Sequence, residues 1–129
     1  MSEIVTAAMI VIGDEILSGR TIDRNIGHLA GIMTAIGIDL KEVRMVADEE
    51  EDIVAAVNAL RASYTYVFTT GGIGPTHDDI TADSIAAAFN VACEFDEKAM
   101  RLLADNYEKR GMEFTEARKR MARMPAGAT

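Results

Sequence analysis

The segment 69–81 carries the residues whose types and spacing best suit chemistry, and it reads Thr-Thr-Gly-Gly-Ile-Gly-Pro-Thr-His-Asp-Asp-Ile-Thr. Its glycines allow the backbone to turn tightly and to approach a ligand where a Cβ would obstruct it. A run of exposed N–H groups ahead of a helix is a natural seat for a phosphate or a carboxylate. The candidate binding residues are the glycines and threonines of this segment: Gly71, Gly72, Gly74, Thr69, Thr70 and Thr76. A simple turn does not need this set, so we predict a ligand site.

Two adjacent aspartates, Asp78 and Asp79, place negative charge beside this anion-binding loop. A divalent cation that bridges carboxylate and phosphate is the usual way to offset such repulsion. The alternative for one of the pair is a role in capping the next helix. His77 is a candidate ligand or general acid, although a single histidine in a loop more often has neither role.

Two familiar nucleotide-binding loops do not fit this segment. A Walker loop ends in Gly-Lys-Ser/Thr, and the sequence has no lysine between Lys41 and Lys98. A dinucleotide-binding fingerprint would place a third glycine where His77 stands, and it would follow the first strand of the fold. The segment is therefore expected to bind its anion in another way.

A second candidate loop, residues 13–21, supplies the carboxylates Asp14 and Glu15. If the two loops are adjacent, Asp14 and Asp79 can flank one ligand or one metal ion. Arg20 is a candidate partner for a phosphate, with a solvated surface position as an equal alternative. Further candidate donors in or near this loop are Ser18, Thr21 and Asn25.

Hydrophobic periodicity predicts the elements that position these loops. The continuous apolar run 7–12 is typical of a strand buried on both faces, and further strands are predicted at 38–46 and 64–69. Helices are predicted after each strand. Their expected caps are Asp23, a capping box at 48–51, and Thr81.

The alternation of strands and helices predicts an α/β fold with a mostly parallel sheet, helices on both faces and right-handed crossovers. In such a sheet, ligands bind beyond the carboxyl ends of the strands, where both candidate loops lie. Two further helices are predicted at 96–110 and 115–124. The chain ends four residues after Pro125, so we expect one domain, 1–129, that is truncated at its C-terminal end.

Bulk composition excludes several classes of protein. A net charge of −8 argues against non-specific binding of nucleic acid, which depends on a cationic surface. The longest apolar run is too short to span a membrane, and no secretory signal pattern is visible, so a cytoplasmic location is expected. Cys93 is the single cysteine, which excludes an internal disulfide and a cysteine metal cage.

The two loops together resemble the molybdopterin-binding domain family of molybdenum cofactor biosynthesis. The resemblance rests on Ile-Gly-Asp-Glu-Ile-Leu-Ser-Gly-Arg at 12–20, on Asp23 and Asn25, and on Gly-Gly-Ile-Gly-Pro-Thr-His-Asp-Asp-Ile-Thr at 71–81. The closest match is the CinA-like (competence/damage-inducible) branch. The resemblance covers essentially the whole chain and implies a three-layer α/β/α fold and a homo-oligomer, either a dimer or a trimer. It also implies a further C-terminal strand and a loop that closes the site.

The resemblance implies different chemistry in two branches of the family. In the adenylyltransferase branch the glycine loop holds the phosphate of molybdopterin, and acidic residues assist Mg-dependent transfer of AMP. Asp79 matches the essential aspartate of that branch and Asp14 matches an acidic residue of its first loop, but Asp78 replaces a basic residue. The CinA-like branch shares the Asp-Asp form, and its implied chemistry is metal-dependent hydrolysis of a nucleotide pyrophosphate such as ADP-ribose.

Our leading hypothesis is a CinA-like domain that binds a small phosphate-bearing ligand, a nucleotide or a pterin. A divalent metal such as Mg would be held by Asp14, Asp78 and Asp79, which are also the predicted catalytic residues, and loop amides would steady the phosphates. The alternatives are an adenylyltransferase-like step of molybdenum cofactor biosynthesis and a non-enzymatic domain for ligand binding or assembly.

Overall fold

A parallel three-stranded sheet is the centre of the computed structural model, which describes residues 4–128. The strands are β1 (Val5–Ile12), β2 (Ile38–Val46) and β3 (Tyr66–Thr70), in the order β2-β1-β3. Their register pairs Ile10 with Arg44 on one side and with Thr69 on the other. The predicted fold class is confirmed, and β2 has the predicted bounds. The third strand begins and ends slightly later than predicted.

Helices connect the strands of the sheet. Their bounds are α1 Asp14–Leu17, α2 Asn25–Ile36, α3 Glu50–Arg61 and α4 Thr81–Ala88. The connection through α2 runs from β1 to the neighbouring β2, and the connection through α3 runs back across β1 to β3. Since parallel crossovers are right-handed, these opposite directions place α2 and α3 on opposite faces of the sheet.

The core lies on both faces of β1, whose residues Ala7 to Ile12 are all buried. On one face, Ile10 and its alternate neighbours pack against Ile53 and Leu60 of α3. On the other face, Met9 is fully buried, and Met33 is the buried residue of α2. A central strand buried on both sides fixes the positions of the loops that follow the three strands.

The helix predicted at 96–110 is confirmed, but the rest of the C-terminal third of the chain differs from the prediction. This third contains β4 (Cys93–Phe95), α5 (Glu97–Lys109), α6 (Glu116–Lys119), a 3-10 turn at Arg120–Ala122, and β5 (Arg123–Pro125). The single helix predicted at 115–124 is wrong, because the α-helix ends at Lys119, a 3-10 turn follows, and Arg123 and Met124 pair antiparallel with β4. Neither of these three-residue strands was predicted.

Two predicted helix caps are also wrong, and one is confirmed. Asp23 accepts a hydrogen bond from the Ile26 N–H at 2.9 Å, as expected at the start of α2. The predicted capping box at 48–51 does not form, since α3 has no side-chain cap. Thr81 does not cap α4, because its hydroxyl donates to the Gly71 carbonyl oxygen at 2.7 Å. Within residues 4–128, no helix is long and apolar enough to cross a membrane.

Candidate functional site

The loops after β1 and β2 are joined at the carboxyl edge of the sheet. The Gly13 N–H donates to the Val46 carbonyl oxygen at 3.0 Å. The Asp14 N–H donates to the Asp48 carboxylate at 3.3 Å, and the Asp48 N–H donates to the Asp14 carboxylate at 3.2 Å. Asp48 therefore belongs to the site, and sequence reasoning missed it. The signal was available, because Asp48 follows β2 just as Asp14 follows β1.

The glycine loop after β3 lies tightly against the end of β1. Gly71 has a φ of 91°, and a Cβ there would overlap the Ile12 carbonyl oxygen. Gly72 has a φ of 66°, and a Cβ there would overlap the Thr81 hydroxyl. The same threonine donates its N–H to the Gly72 carbonyl oxygen at 3.1 Å. Both glycines are thus required by conformation and by close approach to Ile12 and Thr81, which confirms the tight turn expected from the sequence, while their approach to a ligand stays a prediction.

Asp79 is held inside the glycine loop by Thr76. One oxygen of the Asp79 carboxylate accepts hydrogen bonds from the Thr76 N–H at 3.0 Å and from the Thr76 hydroxyl at 2.8 Å. Partial burial acts to raise the pKa of Asp79, but these hydrogen bonds, that of the Gly74 amide and the charge of Arg120 outweigh it and lower the pKa below its usual value. Asp79 is therefore a well-fixed anion, and Thr76 positions it.

Three clefts open around these loops: the Arg20 cleft, the acidic cleft and the Arg120 cleft. The Arg20 cleft, of about 560 Å³, includes Glu15, Arg20, Thr21, Asn25, Thr70 and Gly71. The acidic cleft, of about 390 Å³, includes Asp14, Glu15, Arg20, Asp48, His77 and Asp78. The Arg120 cleft, of about 380 Å³, includes Thr69, Gly72, Gly74, Asp79, Arg120 and Met124. The loop after β3 contributes to all three clefts, with its glycines in the first and the third and with His77 and Asp78 in the second.

The acidic cleft concentrates negative charge between the first loop and the glycine loop. Burial raises the pKa of Asp48, and the nearby carboxylates of Asp14, Glu15 and Asp79 raise it further, while the hydrogen bond from the Asp14 backbone acts to lower it. The His77 ring nitrogen lies 3.5 Å from the Asp78 carboxylate, and both side chains are exposed. Excess negative charge of this kind favours binding of a cation or a proton.

The three aspartates predicted to share one metal line different clefts. Asp14 and Asp78 line the acidic cleft, whereas Asp79 lines the Arg120 cleft. In the described part of the chain, no group of three or more metal-ligating side chains is arranged to hold an ion. A metal at this edge would therefore take further oxygen ligands from the bound phosphates or from water. The metal and catalytic roles of the three residues remain predictions.

Arg20 lies between the Arg20 cleft and the acidic cleft and lines both. Its Nε donates to the Ser18 hydroxyl oxygen at 3.0 Å, and that hydroxyl donates to the Glu15 carbonyl oxygen at 3.3 Å. Ser18 thus orients Arg20, although it was predicted as a direct ligand donor. The structure brings Arg20 to the same cleft as Thr70 and Gly71, as the hypothesis requires.

The Arg120 cleft brings in a segment that sequence reasoning had assigned only to a helix. Arg123 forms a bidentate ion pair with Asp83 of α4, with N–O distances of 2.7 and 3.1 Å. This pair fastens β5 to α4 next to the glycine loop. No pattern in the sequence pointed to Arg120 or Arg123 as site residues, because they lie in a basic run that also suits a solvated helix face.

A parallel sheet with a glycine loop and acidic loops at its carboxyl edge defines an α/β domain of the kind that places its site at that edge. The family described as "Probable molybdopterin binding domain" matches residues 8–128. The chain belongs to this molybdopterin-binding domain family, as the resemblance in its loops predicted.

Similar proteins agree with this assignment. A protein of Sulfurisphaera tokodaii is 42% identical over 127 residues, which are 98% of this chain and 48% of that protein. The structure of "the protein CinA with unknown function" from Thermoplasma acidophilum matches with a TM-score of 0.86 and 29% identity, over 99% of this chain and 75% of that one. The tungsten cofactor synthesizing protein MoaB from Pyrococcus furiosus shares the fold, with a TM-score of 0.63 and 20% identity over 86% of this chain and 68% of that one. The chain spans about half the length of the curated relatives it matches.

Proposed function

We propose that this domain binds a small phosphate-bearing ligand of the molybdopterin or nucleotide type at the carboxyl edge of its sheet. The observation that carries the proposal is the position of the glycine loop, whose residues line both the Arg20 cleft and the Arg120 cleft. The ligand's phosphate would be bound by amides of Gly71, Gly72 and Gly74, as at other glycine-rich turns before a helix. Because the domain carries a net charge of −8, this binding depends on amides and on a few arginines.

Arg20 is the side chain expected to steady the phosphate from the side of the first loop. Its position is set by Ser18, and a guanidinium hydrogen bond to an anion contributes about 1.5–3 kcal/mol. Thr70 lines the same cleft and is a candidate hydroxyl donor. The family supports molybdopterin as a ligand type, and the similarity to CinA supports a nucleotide as the alternative.

A thermal-shift and calorimetry panel tests this proposal. We expect molybdopterin, ADP-ribose, FAD or ATP to raise the melting temperature, because binding to the native state stabilises it. Arg20→Gln should weaken the affinity about 10-fold or more. Lys98→Gln is the matched control, since it removes one positive charge from an exposed position on α5 that lines none of the three clefts. If no member of the panel binds the wild-type domain, the proposal is wrong.

A second function, metal-dependent hydrolysis of a nucleotide pyrophosphate such as ADP-ribose, is favoured by the acidic cleft beside the loop. A divalent cation would supply a Lewis acid at the pyrophosphate and an activated water. In this mechanism Asp14 and Asp78 would hold the cation from the acidic cleft, and Asp79 would contribute its carboxylate from the Arg120 cleft. The loop amides would hold the phosphates.

Product analysis separates this reaction from its competitors. We expect the full-length protein to release AMP from ADP-ribose with Mg, Mn or Co, and Asp14→Asn and Asp79→Asn to reduce the rate. Transfer of AMP from ATP to molybdopterin would instead indicate the adenylyltransferase reaction. Ligand binding without turnover would indicate a non-enzymatic domain. If no ADP-ribose is cleaved and Asp79→Asn leaves the affinity unchanged, the hydrolytic mechanism is refuted.

A further inference from the structure

Arg120 is a half-buried cation beside the glycine loop, and the chemistry above assigns it no contact with the ligand. It begins the 3-10 turn before β5 and lines the Arg120 cleft together with Gly72, Gly74 and Asp79. Its Nε is buried and has no hydrogen-bond partner within residues 4–128. A buried N–H without a partner costs free energy, so its presence calls for an explanation.

The neighbouring arginine of the same segment has a structural partner, and Arg120 does not. Arg123 is neutralised by Asp83 through two hydrogen bonds of 2.7 and 3.1 Å. Among the ion pairs formed by residues 4–128, none includes Arg120. Asp79 lines the same cleft, but its carboxylate is engaged by Thr76. Arg120 thus stabilises the Asp79 anion through its charge but forms no ion pair with it, so within residues 4–128 its guanidinium keeps donors that can meet an anionic group entering the cleft.

The other walls of the Arg120 cleft suit an apolar, flat group. They include Ile73, Ile85, Met121, Met124 and Pro125. Methionine side chains adapt to aromatic rings and make favourable sulfur contacts with them. A cleft with one unpaired arginine, glycine-loop backbone and an apolar wall has the composition expected for a phosphorylated heterocycle.

The Arg20 cleft lies on the other side of the end of β3. Thr70 lines the Arg20 cleft, whereas Thr69 lines the Arg120 cleft, and successive side chains of a strand point to opposite faces. The glycine loop thus separates two clefts that each contain an arginine. A ligand that carries one phosphate can engage one of them, and a ligand with two separated anionic groups can engage both.

We propose that Arg120 forms a second anion subsite, in which its guanidinium binds a phosphate of the ligand while the ligand's ring packs against Met121 and Met124. This inference rests on the proposed function, and it names the part of the ligand that the C-terminal segment recognises. Arg120 is a specificity residue for ligands whose phosphate lies next to a ring.

Arg120→Met is the main test, with Lys119→Gln as the matched control. Calorimetric affinities for ADP-ribose, AMP and inorganic pyrophosphate are measured for the wild-type domain and for both variants. We expect Arg120→Met to weaken ADP-ribose binding about 10-fold to 100-fold, the range for loss of a charged hydrogen bond. Lys119 pairs with Glu116 and does not line the cleft, so Lys119→Gln should bind with the affinity of the wild type.

Thermal unfolding without ligand separates a binding role from a structural one. Arg120→Met removes an unsatisfied buried N–H but also the charge that stabilises the Asp79 carboxylate, so we expect its melting temperature to stay close to that of the wild type. A structural role would instead lower it. Arg120→Lys keeps the charge and should recover part of the affinity.

Each outcome decides the proposal. If the wild type binds ADP-ribose and Arg120→Met binds it equally well, the second subsite is refuted and the proposed function stands. If Arg120→Met unfolds at a lower temperature and Arg120→Lys restores stability but not affinity, Arg120 is structural and the subsite is again refuted. If the wild type binds none of the three probes, both the subsite and the proposed function fail.

Discussion

Replacement of Gly71 by alanine tests the close approach of the glycine loop to the end of β1. Gly71 has a φ of 91°, in the left-handed region that favours glycine, and its Cβ would overlap the Ile12 carbonyl oxygen. A backbone oxygen in the central strand cannot rotate away as a side chain can. The loop or the strand must therefore shift.

The expected loss of stability has two parts. A non-glycine residue in the left-handed region costs about 1–2 kcal/mol. Overpacking against a fixed neighbour adds about 1–3 kcal/mol. Gly71→Ala should thus lower the free energy of unfolding by about 2–5 kcal/mol, a large share of the total for a domain of this size. Gly37→Ala is the control, because Gly37 has a φ of 85° but a Cβ there would meet nothing within 4 Å. Gly37→Ala should therefore lose only the cost of the left-handed backbone, about 1–2 kcal/mol.

Urea unfolding followed by far-UV circular dichroism gives the comparison. We expect the midpoint of Gly71→Ala to fall well below that of Gly37→Ala, with similar m-values. Equal losses in the two variants would mean that the loop does not press against Ile12, and the description of the site around that contact would be wrong.

Three further predictions concern the carboxylates around the site. Asp83→Asn and Arg123→Gln should each lower the free energy of unfolding by about 1–3 kcal/mol, because each leaves a half-buried charge without its bidentate partner. A double-mutant cycle measured by urea unfolding should show coupling between the two positions, and additive losses would contradict the ion pair. Since the pKa of Asp48 is raised in the folded state, its ionisation destabilises the fold, so Asp48→Asn should raise the melting temperature at about pH 7 and lose this gain at about pH 3. The pKa of Asp79 is lowered in the folded state, so the stability that its carboxylate contributes is present at about pH 7 and is lost as the pH falls through the folded pKa. Asp79→Asn should therefore destabilise the domain most at about pH 7. The opposite pH dependence for Asp48→Asn or for Asp79→Asn would contradict the stated pKa shifts.

The sheet and its loops could be predicted because local pattern and topology agree. The apolar run of β1 and the alternation of β2 define the strands, and right-handed crossovers then bring Asp14 and the glycine loop to one edge. The tight turn at Gly71 and Gly72 followed from residue chemistry, but their contacts with Ile12 and Thr81 did not. These features depend on short-range rules and on the connection of successive elements.

The errors have a common physical cause, which is competition from tertiary contacts. Thr81 and Asp48 have the composition of helix caps, but their side chains bond to the Gly71 carbonyl and to the Asp14 amide instead. The pairing of β4 with β5 involves three residues in each strand, too few for a periodic signal. Arg120 acquires its position only when this pairing brings the C-terminal segment over the glycine loop, so the sequence did not reveal it. The oligomeric state and the cellular location stay predictions.

An NMR titration of the isotope-labelled domain tests the central claim most directly, because it reports on each backbone amide separately. We predict that ADP-ribose or molybdopterin shifts the amide resonances of residues 70–74 and of Thr76 most strongly, with smaller shifts around Arg20 and Arg120. The account is contradicted if a ligand binds with those amides unchanged and the largest shifts lie away from the carboxyl edge of the sheet.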